Sequence, residues 1–365
     1  MKIFDYSFLK LQGVHSSLIS LIIDIEKIKG FNYKNFENYP SVFENLQSIS
    51  NFQSVKYSNF NKLAFSDYRL KNILYLKKES KNELNVMEDI LLGYKDVLKI
   101  VHNNHNELLL NEYLIKDFHF QLFSDTSLDN IGNYKYENDF LLEILLDGTK
   151  KVIFNPISFD ESSIAMNNLI QAYKIARDDI DIPKLLLIPC VILDFLLIYP
   201  FSYGNEQISN LISMLLLYKN DYNACKYVSF EKQIYNNKSE YYEAIRKSSI
   251  NWDENLNDYN PFIKKFLEMV YSAYYELNSR FRIVDGEKKS KKIRIKETIL
   301  KSYNPISRKE IHLVWPDISQ ETIKKEIKNL MIENKIKKIG GYKDARYKRN
   351  WYGSSSKNDE NMVIF

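Results

Sequence analysis

The segment Leu185–Phe201, LLLIPCVILDFLLIYPF, constrains this chain more than any other. It is apolar throughout except for Asp194. A helix that is apolar on every side has to be buried by its neighbours. At 17 residues the run is short for a membrane span, which needs about 20. Pro189 interrupts it and Pro200 stops it, so it reads as a core helix and not as a membrane segment. The chain after it, LISMLLLYKN, is again apolar at helical spacing and extends a helix over about Glu206–Tyr218. With only 10 Gly and 8 Pro in 365 residues, long helices are expected in place of a turn-rich sandwich. Cys190 and Cys225 lie in apolar surroundings and read as buried free thiols, with a disulfide as the alternative. The opening MKIFDYSFLKLQ has Asp and Lys where a secretory leader needs an apolar run, which sets a cytoplasmic expectation.

Periodicity places further helices. VHSSLISLIIDIEKIKG is one, with Gly30 as its expected stop; Glu83–Val101 and Leu114–Phe123 are two more. FLLEILLDGTKKVIFNP reads as a β-hairpin turning at Asp147-Gly148 and ended by Pro156. Ser158 and Glu161 form an expected capping box for the helix that follows. SEYYEAIRKSS and PFIKKFLEMVYSAYYELNSRF are two later helices. His102 and His105 could share a helix face, but no Cys or carboxylate cluster completes a metal set, so no metal site is expected.

The charge is divided. Lys288–Arg349 holds 19 Lys+Arg against 7 Asp+Glu, a local net of +12, and the remainder carries −8. Such a division suggests a basic module for a polyanion attached to a body with another task. Within it, IRIKETILKSYN, SRKEIHLVW (with a Ser307/Glu310 capping box) and PDISQETIKKEIKNLMIENK (N-cap Ser319) read as three helices. The basic hairpin IKKIGGYKDARYKRNW completes a winged helix-turn-helix pattern. A third helix lies in the DNA major groove in such modules and the wing reaches the backbone. Here the third helix offers Gln320, Thr322, Lys324, Lys325 and Lys328, and the wing offers Lys337, Lys338, Lys343, Arg346 and Lys348. The lysines suit phosphates, and Gln320 or Arg346 suits base edges. DNA is the expected partner, and the alternative is a protein-docking module with a solvated basic face.

Between the two apolar helices the chain reads YPFSYGNEQISN, Tyr199–Asn210. This stretch, its helices and the upstream hairpin resemble the Fic (Fido) domain family, whose motif has the form H-P-F-x-[DE]-G-N-G-R-x-x-R. GNYKY and the hairpin before FNPIS resemble the family's G-x-[WY]-R strand and substrate-aligning flap, which places Phe154, Asn155 and Pro156 in the flap. The resemblance extends over VSFEKQIYNNKSEYYEAIRKSS and DYNPFIKKFLEMV downstream. It implies a mainly α fold: a Fic-type helical bundle with a small β-hairpin flap, plus a C-terminal winged helix domain. The expected divisions are an N-terminal helical region at 1–105, a Fic-like domain at 106–283, a linker at 284–292, the winged helix at 293–350 and a disordered tail at 351–365.

Most members of that family transfer AMP from ATP, with Mg²⁺, to a hydroxyl of a target protein. The resemblance therefore implies ATP with Mg²⁺ as ligand and a protein target, and a homodimer is a further expectation. The chemistry needs a base, and the family's motif His stands here as Tyr199. A phenol of pKa about 10 is ionised in roughly one molecule per thousand at neutral pH. The metal needs a hard oxygen ligand, and its acidic position is Tyr203. The triphosphate needs planar cations, and the two Arg positions are Gln207 and Asn210. The second motif Gly is Glu206, whose charge repels phosphate. Gly204 and Asn205 remain, either as a retained anion cradle at a helix start or as a plain helix-entry turn. Many members also carry an inhibitory helix, [ST]-x-x-x-E-[GN]; the matching stretch DYRLKN places Lys71 at its Glu, the alternative being a solvated helix face. Three readings stay open: a degenerate, DNA-binding or regulatory protein with residual nucleotide affinity, an adenylyltransferase with altered residues, and a decoy or sensor using the flap hairpin.

Overall fold

The computed structural model describes residues 2–11, 15–38, 40–58, 67–74, 84–144, 148–285, 290–302, 305–315, 318–341 and 345–350. Among these lie fifteen α-helices and five short strands. The chain divides into two compact units, Met1–Gly30 with Ser50–Glu276, and Phe31–Ile49 with Leu277–Phe365. The expected line at 105/106 therefore runs through one unit.

In chain order, α1 (Phe8–Leu11), α2 (Ser16–Asn38), α3 (Pro40–Tyr57) and α4 (Asp67–Leu74) precede α5 (Val86–Asn104) and α6 (Glu112–Phe123), with residues 31–49 of α2 and α3 belonging to the second unit. The hairpin follows, β1 (Leu141–Ile144) with β2 (Lys150–Phe154), and then α7 (Ser162–Asp178), α8 (Lys184–Ile198) and α9 (Asn205–Lys219). α10 (Phe230–Asn236), α11 (Lys238–Ser248) and α12 (Asn260–Asp285) complete the run, α12 passing into the second unit after Glu276. α8 is the apolar segment, and every residue from Leu185 to Ile198 is buried. It packs between α7 and α9, and α9 in turn packs on α5 and α6. Burial of each such Leu or Ile side chain contributes about 1.5–3 kcal/mol, which makes this pair the centre of the core. No helix among the described residues is long and apolar enough to cross a membrane.

Local signals fared unevenly. Gly30 does not stop α2, which runs on to Asn38; a lone interior glycine costs only about 1 kcal/mol relative to alanine. The Ser158/Glu161 capping box does not form: α7 starts at Ser162, and the Ser158 backbone carbonyl instead accepts from Ser162 Oγ at 2.9 Å. A capping box unseen in the sequence, Asn85 with Glu88, opens α5. β1 and β2 pair antiparallel with an irregularity between Leu141 and Leu142. Of the expected turn, Gly148 has φ +83° and Asp147 lies outside the described residues. Both cysteines are free and buried.

The second unit contains α13 (Lys291–Lys301), β3 (Ile306–Ser307), α14 (Arg308–Val314), α15 (Gln320–Ile332), β4 (Ile336–Ile339) and β5 (Arg346–Arg349). The strands form an antiparallel sheet ordered β3-β5-β4. Ile295, Ile299, Ile311, Trp315, Ile323 and Leu330 fill a core of its own. Ser307 with Glu310 caps α14, and Ser319 caps α15, as their sequence signals predict. α12 runs through Asp285 into the expected linker, and α13 begins with Ser290 as its cap. Lys343 and the tail 351–365 lie outside the described residues.

Candidate functional site

The loop between α8 and α9 is built from backbone constraints. α8 ends at Tyr199, whose φ of +50° is left-handed and whose N–H donates to the Phe195 carbonyl at 3.0 Å. That conformation is costly for an aromatic residue and persists only where the surroundings impose it. Asn205 provides one such constraint. Its Oδ1 accepts from Phe201 N–H at 3.0 Å and its Nδ2 donates to the Phe201 carbonyl at 2.7 Å, closing the loop on itself. Gly204, with φ +78°, caps α9, and a Cβ there would lie 2.5 Å from Phe123 Cε2.

His119 of α6 anchors the same loop. Its ring stacks on Phe201 with centroids 4.1 Å apart and planes 10° apart. The Gly132 N–H donates to Nδ1 at 2.9 Å, and Nε2 lies 3.1 Å from the Tyr203 carbonyl. Those partners fix the neutral tautomer with its proton on Nε2. Burial lowers the imidazole pKa to about 4, so it stays neutral. Lys135 ties the loop to the base of the hairpin: its Nζ donates to the Ile157 carbonyl at 2.6 Å and the Ile198 carbonyl at 3.3 Å, and its N–H donates to the Pro200 carbonyl at 2.8 Å. Its burial lowers the amine to about 8.

The motif positions themselves hold phenols, amides and one acid. Burial first, then the carboxylates of Glu206 and Asp139, push the Tyr199 phenol well above its ordinary value. The Tyr203 hydroxyl donates to the Asp129 carbonyl, and its ring meets Phe123 edge-on at 4.7 Å. Glu206 accepts from the hydroxyl of fully buried Tyr242. Gln207 and Asn210 are buried, and the Asn210 Nδ2 has no hydrogen-bond partner among the described residues. Phe154 packs edge-on against Trp252 at 5.8 Å, Asn155 is exposed and Pro156 is half-buried. Lys71 on α4 lies with its Nζ 5.9 Å from the Phe52 ring centroid. No group of three metal-ligating side chains occurs among the described residues.

Behind the loop, in α8, Asp194 is completely buried. It accepts from Tyr6 Oη (2.8 Å), Trp252 Nε1 (2.7 Å) and Tyr259 Oη (2.9 Å). Its value as the sole charge of the apolar run was visible in the sequence, but its three donors, scattered from residue 6 to residue 259, were not. Tyr242, which holds Glu206, and Asp139, which acts on Tyr199, carry no local signal in the sequence.

On the second unit, Gln320, Lys324, Lys325 and Lys328 are all exposed along α15, while Ile323 and Ile327 face its core. Lys338 is exposed on β4. Arg346 is engaged within the fold: Nη1 donates to the Pro305 carbonyl at 2.9 Å and Nη2 pairs with Glu310 at 3.1 Å.

No family model matches the sequence, and no curated protein matches it significantly. Solved structures do. A Fic family protein from Desulfovibrio desulfuricans aligns with a TM-score of 0.56 at 15% identity, over 94% of this chain and 98% of its own. A Fic domain containing signaling protein from Bacteroides thetaiotaomicron aligns with a TM-score of 0.56 at 15% identity, over 73% of this chain and 100% of its own. Fic-1 from C. elegans aligns with a TM-score of 0.52 at 12% identity, over 71% of each chain. The chain has the Fic fold.

Proposed function

We propose that this chain is a binding protein, a Fic-fold unit without nucleotidyl-transfer chemistry joined to a DNA-binding winged-helix module. The observation that carries the first half is the charge at the motif loop. Where transfer to a hydroxyl needs a base near neutral pH, Tyr199 is a phenol held protonated by burial and by Glu206 and Asp139. ATP with Mg²⁺ does not fit the residues present. The carboxylate of Glu206 sits in the first turn of α9, where a phosphate would need to approach. Gln207 and Asn210 bring no positive charge, and the Tyr203 hydroxyl is turned to the Asp129 carbonyl.

The second half rests on topology and charge. The order helix, strand, helix, helix, strand, strand with a β3-β5-β4 sheet is the one a winged helix requires, and α15 is its third helix. Lys324, Lys325 and Lys328 project from α15 into solvent in a segment of net charge +12. With Arg346 committed to Glu310 and Pro305, the exposed cations of α15 are all lysines, which suit phosphates more than base edges.

Two assays on purified protein test the reading. Anisotropy with a labelled duplex should show affinity that falls steeply between about 50 and about 200 mM salt. Incubation with α-labelled ATP, Mg²⁺ and host lysate should give no labelled protein. Label that appears and then vanishes in Tyr199→Phe would refute the first half; absence of salt-sensitive duplex binding would refute the second.

A further inference from the structure

The mouth of the motif loop is rimmed by rings and carboxylates. Tyr136 is 54% exposed, Phe140 49% and Phe159 45%. Large aromatics exposed together on one surface commonly mark an interaction site. These are tied into one frame. Phe159 N–H donates to Asn138 Oδ1 at 2.9 Å, Phe140 N–H to Asp139 Oδ1 at 2.7 Å, and Tyr136 Oη to Asp129 Oδ2 at 3.4 Å. The Tyr203 hydroxyl closes the frame on the Asp129 carbonyl.

The charge of this rim has one sign. Between residues 125 and 140 there are four carboxylates and a single base, Lys135. That lysine is buried and held by the carbonyls of Ile157 and Ile198, so it does not face the rim. Asp129, Glu137, Asp160 and Glu161 are exposed, and Asp139 is half-buried. The phenols record the field: Asp129 and then Glu137 push Tyr136 up, and burial followed by Asp129 pushes Tyr203 up.

Such a surface repels anions and attracts cations, and the face of an aromatic ring adds its own attraction for an ammonium or guanidinium group. Carboxylates spread among rings, not converging on one point, fit a side chain with an apolar stem and a charged head better than a bare metal ion. We propose that this rim is a docking surface for a basic, extended segment of a partner protein. Lysine or arginine stems lie across Tyr136, Phe140 and Phe159, and their heads meet Glu137, Asp139 and Asp160. The inference rests on the reading of this loop as a binding surface and not a transfer centre.

The test uses the full chain and a fluorescein-labelled peptide of alternating lysine and threonine, about twelve residues long, beside its glutamate-and-threonine counterpart. The lysine peptide should bind at low salt. Glu137→Lys with Asp139→Lys should weaken it by about tenfold or more, and Tyr136→Ala with Phe140→Ala should weaken it comparably. The pair Asp253→Lys with Glu254→Lys, exposed residues outside the rim, makes the same change in net charge and should cost less than about threefold. Thermal melts confirm that each variant is folded. No binding of the lysine peptide, or equal weakening by the two charge-reversed pairs, overturns the proposal. Duplex binding is measured on the same samples and should be unchanged by the rim variants. Its absence with peptide binding intact strikes the DNA reading alone.

Discussion

Replacement of Asp194 tests the core from which the motif loop emerges. Its carboxylate is fully buried and accepts from Tyr6, Trp252 and Tyr259. Burial raises its pKa from the ordinary 3.8 to about 6, against the opposing pull of those donors and of Lys2. The folded protein then binds a proton more tightly than the unfolded chain does. This group's contribution is therefore full below pH 3.8 and is lost as pH rises through about 6. At about 1.36 kcal/mol per unit, the loss amounts to about 3 kcal/mol. Asp194→Asn removes the titration and keeps an acceptor for two donors, while the Tyr6 hydroxyl can turn to accept from the amide. Urea unfolding of both proteins at pH 4, 5, 6 and 7 gives the difference directly, because every other titrating group cancels. The native protein should lose about 2.5 kcal/mol relative to Asp194→Asn between pH 4 and 7, the rest having gone below pH 4. Asp194→Ala is the companion. It leaves the buried Tyr6 and Trp252 donors without an acceptor, at about 1–3 kcal/mol each. A difference between native and Asp194→Asn that stays flat with pH would refute the argument that burial dominates here.

Three further outcomes are expected. Changing Lys324, Lys325 and Lys328 to Ala should lower the slope of log affinity against log salt for duplex DNA by about one for each phosphate no longer neutralised, measured by anisotropy. His119 is the opposite of Asp194 in sign: its folded pKa of about 4 lies below the ordinary 6.5, so its contribution is full above pH 6.5 and lost as pH falls towards about 4. His119→Phe should remove that acid sensitivity, about 3 kcal/mol across the window, from the pH profile of urea unfolding. Gly204→Ala meets both a left-handed φ of +78° and the Phe123 ring, and should cost about 2 kcal/mol or more, read as a lowered melting temperature.

Sequence and structure agree where the signal is dense and local. The apolar run became the buried helix α8 because a helix apolar on every side has to be covered by its neighbours. Ser307, Glu310 and Ser319 capped their helices because capping is decided within one turn. The motif loop was legible because Pro200, Phe201, Gly204 and Asn205 match the turn residues of the motif it resembles. Gly30 and Ser158 misled because each is a local signal of only about 1 kcal/mol. The acceptance of three distant donors by Asp194, the hold of Glu206 by Tyr242 and the capture of Arg346 by Glu310 all join residues far apart in the chain. No spacing rule reaches them. Arg346 shows the consequence for function: composition offered it to DNA, and the fold uses it to fasten β5 to α14.

Trp252 stands at a junction. One edge donates to Asp194, and its ring meets Phe154 at the end of β2 and Phe4 near the start of the chain, at 5.8 and 6.1 Å. An indole's emission responds to a carboxylate beside its N–H and to the rings around it. The molecule thus contains its own optical probe of the hairpin. Any ligand that draws β2 outward must part Phe154 from Trp252, and the shift in emission would report that movement without a label.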